Sequence, residues 1–122
     1  MTKHVLIVDD ESAILMAFKK LLQSPGIDID TAETVESAQA SLSAKKYDAV
    51  VADLRLGITG EEGLDILRFV KQNSPQTPII LITAYGNPEI MEKTYKLGAD
   101  LYLEKPVSSN TLRDALRTLG VE

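Results

Sequence analysis

Cysteine is absent from all 122 residues, which excludes disulfides and thiol-ligated metal sites and suits a reducing compartment. Long apolar runs are missing too. Val5-Leu6-Ile7-Val8 and Ile79-Ile80-Leu81-Ile82 are far shorter than the roughly 20 residues of a membrane-crossing helix. Met1-Thr2-Lys3-His4 leads into the first of these runs and straight on to Asp9, so no signal peptide is readable and no membrane association is expected. Basic clusters are scarce: the net charge is −5, and Lys19-Lys20 and Lys45-Lys46 are the only adjacent basic pairs, which argues against direct nucleic-acid binding. The single histidine, His4, precedes the first run, where an exposed or strand-capping role fits better than a phosphocarrier role. No repeat, linker or low-complexity stretch interrupts the chain. What remains is an ordinary globular composition, 44% hydrophobic and 25% charged, long enough to bury one core in one cytoplasmic domain.

Residues of chemical interest stand at the ends of the short runs. Asp9 and Asp10 follow Val5 to Val8, and Asp53 follows Ala49-Val50-Val51-Ala52. Thr83 follows Ile79 to Ile82, and Lys105 comes just after Leu101-Tyr102-Leu103. Each run reads as a buried strand. In a parallel sheet all carboxyl ends face one way, so the residues just past them meet in one crevice. Three carboxylates, a hydroxyl and an ammonium are therefore expected to converge.

Between the strands lie helical patterns, and their alternation predicts an α/β doubly wound fold. Ser12 is expected to cap a helix with Ile14, Phe18, Leu21 and Leu22 inward, stopped by Pro25-Gly26. Ile27 to Thr31 alternates with acids like an edge strand. Thr34 caps a second helix with Val35, Ala38 and Leu42 inward, and Leu64, Leu67 and Val70 line a third that breaks before Pro75. Asn87-Pro88 opens a fourth that closes at Gly98, with Met91 and Tyr95 read as packing residues. Ser109 or Asn110 opens the last, where Leu112, Ala115, Leu116 and Leu119 form a stripe.

Three carboxylates in one crevice repel unless a cation neutralises them. Mg2+ suits the cluster, because it takes oxygen ligands, keeps several waters and needs only one or two carboxylates plus a substrate phosphate. Asp10 and Asp53 are the best direct ligands, with Asp9 acting through water and the Arg55 backbone carbonyl supplying a further oxygen. Asp53 is the candidate nucleophile, since a carboxylate attacking phosphorus forms an aspartyl phosphate. The ammonium of Lys105 and the hydroxyl of Thr83 would then compensate the phosphoryl charge. An X-Pro bond such as Lys105-Pro106 can be cis.

Leu6-Ile7-Val8-Asp9-Asp10-Glu11, Asp53-Leu54-Arg55-Leu56, Ile82-Thr83-Ala84, Gly98-Ala99-Asp100 and Lys105-Pro106 together resemble the receiver domain of two-component response regulators, over the whole chain from 1 to 122. The resemblance implies a flavodoxin-like five-stranded parallel sheet in order 2-1-3-4-5 with five helices. It implies that Asp53 accepts a phosphoryl group from the phosphohistidine of a histidine kinase or phosphotransfer protein. By the same resemblance Asp9, Asp10 and Asp53 form the Mg2+ site, Lys105 contacts the phosphate, Thr83 is the switch hydroxyl and Tyr102 the switch aromatic. The fourth-helix, fifth-strand and fifth-helix face would then change to control an output domain or downstream protein, with phosphorylation-dependent homodimerisation as a further option. Two departures stand out. Gly57 occupies the place four after the acceptor where the family usually has proline, and the glycine usual at the eighth place comes at the tenth, Gly63, as if the loop were two residues longer. Leu101 stands where a DNA-binding subclass carries a second acid, which puts that subclass's charged dimer face in doubt.

Such a protein is a switch that assists its own phosphorylation and dephosphorylation rather than a classical enzyme. A dehalogenase-like phosphatase would want an aspartate where Arg55 stands. A flavodoxin-like redox carrier would bring a cofactor phosphate against Asp9, Asp10 and Glu11, which repel it. A receiver-like docking module without phosphorylation would be expected to lack a site residue, and none is missing. Arg55 and Tyr85, two beyond the acceptor and the switch hydroxyl, are expected to shield an aspartyl phosphate from water.

Overall fold

The apolar runs and amphipathic segments become five strands and five helices in strict alternation. They are β1 (Lys3–Val8), α1 (Ser12–Leu22), β2 (Ile27–Ala32), α2 (Val35–Ala44), β3 (Ala49–Asp53), α3 (Glu62–Asn73), β4 (Ile79–Thr83), α4 (Pro88–Lys96), β5 (Leu101–Glu104) and α5 (Ser109–Thr118). The computed structural model describes residues 2–55, 62–84 and 86–121. All strand pairs are parallel and the sheet order is β2-β1-β3-β4-β5, the doubly wound arrangement expected. β3 and β4 are buried at every position, as central strands covered on both faces must be. β2 keeps Ile27 and Ile29 buried while Asp28 and Asp30 are half-exposed, which blunts an edge strand with charge.

Successive side chains on β1 feed two cores. Leu6 and Val8 join Ala38, Leu64, Leu67 and Val70 on the face covered by α2, α3 and α4. Val5 and Ile7 join Leu15, Leu22, Leu112 and Leu116 on the face covered by α1 and α5.

Most helix boundaries follow from their caps. Thr34 accepts from the Ser37 amide at 3.0 Å, and Asn87 accepts from the Ile90 amide at 2.9 Å just ahead of Pro88. Gly98, at φ +107°, ends the α4 region in the left-handed conformation that glycine tolerates. Two caps differ from expectation. Ser12 is the first helical residue of α1; the cap position is Glu11, whose side chain makes no capping bond, and Asp9 accepts the Glu11 amide at 2.9 Å instead. Ser108, one residue before the first candidate and two before the second, caps α5 by accepting from the Thr111 amide at 3.0 Å. On α1 the buried residues are Leu15 and Leu22, and Leu21 is 52% exposed. Adjacent leucines lie about 100° apart on a helix, so only one of Leu21 and Leu22 can face the sheet squarely.

Gly63, in the first turn of α3, donates its amide to the Leu54 carbonyl at 3.1 Å. A Cβ there would lie 2.5 Å from the Asp53 carbonyl oxygen and 2.6 Å from the Leu54 Cα, both backbone atoms with no rotamer to yield. Gly63→Ala is therefore expected to destabilise the fold by about 2–3 kcal/mol despite alanine's better helix propensity, which urea unfolding would measure. Wild-type stability in that variant would show that the approach is not obligatory. The longer loop read from Gly57 and Gly63 falls on residues 56–61, outside the described residues.

Candidate phosphoacceptor site

The carboxyl ends of β1, β3, β4 and β5 deliver the site. Asp53 is the last residue of β3, directly across from Ile82, and Thr83 is the last residue of β4. Asp9 and Asp10 follow β1, and Lys105 follows β5 with its amide donating to the Thr83 carbonyl at 2.8 Å. The Lys105–Pro106 bond is cis.

Asp9 and Asp53 are buried, whereas Asp10 is exposed. One oxygen from each of the three lies within 4.8 Å of the others. Lys105 bridges two of them, 3.2 Å from Asp9 Oδ2 and 2.9 Å from Asp53 Oδ2. The remaining oxygens are held by the turns, with the Glu11 amide donating to Asp9 Oδ1 and the Arg55 amide to Asp53 Oδ1 at 3.0 Å. Arg55 itself is exposed. Tyr85, the other expected shield, lies outside the described residues.

Burial is the chief reason that the Asp9 carboxyl sits above its ordinary value, and the Asp53 charge adds to it; the Glu11 amide and Lys105 offset this only in part. Burial acts the opposite way on Lys105, but its bonds to Asp53 and Asp9 outweigh it and hold the ammonium above its ordinary value. A raised carboxyl means that the folded state binds its proton more tightly than the unfolded chain. Asp9 therefore subtracts stability as pH rises from the ordinary carboxylate value of 3.8 through its raised folded value. Asp9→Asn, which keeps an oxygen for the Glu11 amide, is expected to raise the melting temperature at neutral pH by a few degrees and to lose that advantage in acid. Calorimetry at the two pH values checks this; equal melting temperatures at neutral pH would contradict it.

The donor set fits a hard divalent cation, with three convergent carboxylates and an exposed Asp10 side where water ligands have room. Beside the acids, a cleft of about 640 Å³ runs from Asp53 and Lys105 along Pro106 to Ile14, Phe18 and Leu21 of α1.

Tyr102 is not part of the acid cluster. Its ring is buried among the residues of the α2–α3–α4 core, next to Gly86 and the Thr83 methyl. Thr83 is fully buried. His4 lies inside β1 as its second residue rather than ahead of it; it is half-buried, and its backbone amide donates to Asp48 Oδ2 at 2.8 Å. Met91 and Tyr95, expected to pack, are 40% and 43% exposed, because α4 fully buries only Thr94. Gly86 and the Tyr95 hydroxyl went unread in the sequence. A glycine beside an Asn-Pro helix start looks like turn punctuation, and a tyrosine's hydrogen bond to a distant amide leaves no local pattern.

The response regulator receiver domain family matches residues 5–117. The chain belongs to that family. A curated relative, the response regulator protein PilR of Pseudomonas aeruginosa, is 35% identical over 95% of this chain but over only 26% of its own length. This receiver domain spans about a quarter of the length of that relative and of the alginate regulator AlgB from the same organism. Among solved structures, a CheY-like receiver domain protein from Methanospirillum hungatei superposes with a TM-score of 0.90 at 28% identity, covering 98% of this chain and 95% of that one. The beryllofluoride-activated NtrC4 receiver domain dimer gives 0.87 at 31% identity, covering 97% and 96%. The chain is thus a receiver of two-component signalling, a phosphoacceptor domain by family. No helix among the described residues is long and apolar enough to cross a membrane.

Proposed function

We propose that this receiver domain takes a phosphoryl group from the phosphohistidine of a histidine kinase or phosphotransfer protein onto Asp53 and uses the change to govern an output domain or partner. The observation that carries the reading is the position of Asp53, buried at the end of β3 with Lys105 2.9 Å from one oxygen and the Arg55 amide 3.0 Å from the other. A carboxylate held at both oxygens is aimed rather than free to rotate. Its free lone pair forms the P–O bond while the P–N bond breaks and its electron pair leaves with the imidazole nitrogen. Lys105 stays close to the transferred oxygens and takes up part of their charge, and Thr83 supplies a hydroxyl from the end of β4. Asp9, Asp10, Asp53 and the Arg55 carbonyl would hold Mg2+, which when bound neutralises the phosphoryl and carboxylate charge. The chain assists this transfer and the later hydrolysis of the aspartyl phosphate, in which water takes the phosphoryl group as inorganic phosphate and the Asp53 carboxylate is regenerated, without being a classical enzyme. Intact-mass measurement after incubation with acetyl phosphate, with and without Mg2+, tests the reading; no mass gain with Mg2+ present would refute it.

The apolar cleft between α1 and the Lys105–Ser109 segment is where we place the phosphodonor protein, since it opens directly beside Asp53. Leu21, 52% exposed, lines this cleft from α1. Leu21→Glu is expected to slow phosphotransfer from a kinase at least tenfold while leaving acetyl phosphate uptake unchanged, since the chemistry residues stay in place. Equal slowing of both donors would place the effect in the site and not in docking.

For output we assign Thr83 and Tyr102 as the switch pair acting on the α4–β5–α5 face. Tyr102 abuts Thr83 in the core, and the exposed Met91 and Tyr95 lie on the same α4 that it underpins. The likeness to the activated NtrC4 receiver domain, which is a dimer, supports homodimerisation on activation as a further outcome of the switch.

A further inference from the structure

The seat of the Tyr102 ring exists because residue 86 has no side chain. A Cβ built on Gly86 would run into the Tyr102 hydroxyl, and would come within 2.9 Å of both the ring's Cζ and the Thr83 methyl. The backbone is not the reason for glycine here. Among the described residues only Gly98 and Gly120 have left-handed φ, so an alanine at 86 meets no conformational barrier of its own. The Tyr102 hydroxyl is buried against this loop and makes no hydrogen bond of good geometry among the described residues, although the Asn87 amide faces it. A second contact fixes the same residue from the other end. The Tyr95 hydroxyl on α4 accepts the Tyr102 amide at 3.1 Å, occupying an N–H that points outward from an edge strand.

We propose that Gly86 is a positioning residue for Tyr102: the space above its Cα is the inward seat of the ring, and Tyr95 locks the strand that carries the ring beneath it. Any side chain at 86 drives the ring out of the core toward the exposed edge of α4 and β5, so residue 86 sets how readily the output face holds one arrangement. The inference rests on the switch role given to Tyr102, but its test uses no phosphate.

NMR on Gly86→Ala is expected to show loss of the contacts between the Tyr102 ring and the Thr83 methyl, with shift changes along α4 and β5. In a Tyr102→Ala background, adding Gly86→Ala is expected to move those α4 and β5 shifts little, because the collision is gone. Ring-to-methyl contacts that survive in Gly86→Ala, or shift changes of equal size in both backgrounds, overturn the proposal. If Gly86→Ala alone fails to fold, the double variant decides: cooperative folding restored by Tyr102→Ala supports the seat, and an unfolded double variant overturns it. Tyr95→Phe is expected to speed hydrogen exchange at the Tyr102 amide roughly fivefold; an unchanged rate removes the lock. Acetyl phosphate uptake by the same variants, read by mass, reports separately on the Asp53 reading.

Discussion

Asp53→Asn is expected to take up no phosphoryl group from acetyl phosphate, whereas the wild-type chain takes up one, and chelation of divalent ions is expected to suppress wild-type uptake nearly completely. The substitution keeps volume and one acceptor oxygen, so the Arg55 amide bond and the fold should survive. It removes the anionic nucleophile, and an amide oxygen does not replace it. Asp9 stands close by, but it lies within the same Lys105 bridge, its Oδ1 is held by the Glu11 amide, and burial biases it toward the protonated form. It is thus a poor substitute nucleophile. The chelation result follows from charge. Three acids share one site with one ammonium, so a phosphoryl group arriving there adds negative charge to a cluster already in excess. Mass spectrometry with peptide mapping separates the outcomes: phosphate on another residue in Asp53→Asn would displace the assigned acceptor, and full uptake in chelator would remove the metal from the reaction.

The convergence at the strand ends was legible because it depends on two strong signals. Short Val/Ile/Leu runs between helical patterns force a parallel sheet, and parallel strands carry Asp9, Asp53, Thr83 and Lys105 to one rim however far apart they lie in sequence. The strand order itself came from the resemblance, because periodicity does not say which strands are neighbours. Capping was less legible. Ser12 has the residue type of a cap, but the Asp9 carboxylate already serves the turn one residue earlier, a competition between two hydrogen-bond acceptors that composition does not rank. The exposure of Leu21, Met91 and Tyr95 was likewise hidden, because a window of alternating polarity gives a helix its face only to within one residue. Gly86 was invisible for a different reason. Its importance lies in what a Cβ would strike, and that neighbour, Tyr102, comes from β5, sixteen positions away in sequence.

Lys105→Ala is expected to slow phosphorylation about 100-fold or more while leaving the domain folded, and to make its stability more dependent on divalent cation than that of the wild type. In the folded chain Lys105 is the only cation that bridges Asp9 and Asp53 among the described ion pairs, at 3.2 and 2.9 Å. Removing it takes away a donor that meets the transferred oxygens, and the loss of one such preorganised donor typically costs 10² to 10³ in rate. It also leaves two buried carboxylates facing each other with no counter-charge, which raises the free energy of the ion-free fold. A cation bound by the three acids would then be the remaining source of compensation. Its stabilisation of Lys105→Ala should exceed its stabilisation of the wild type, where the ammonium already supplies part of the charge. Thermal melts of both proteins across a Mg2+ titration measure that difference, and acetyl phosphate kinetics measure the rate. Lys105→Arg keeps the charge but replaces a compact ammonium by a planar fork, so it should restore most of the stability and little of the rate. If Lys105→Ala phosphorylates at the wild-type rate, the bridge serves only to quiet the acids, and stabilisation of the phosphoryl charge must fall to the hydroxyl and the metal alone.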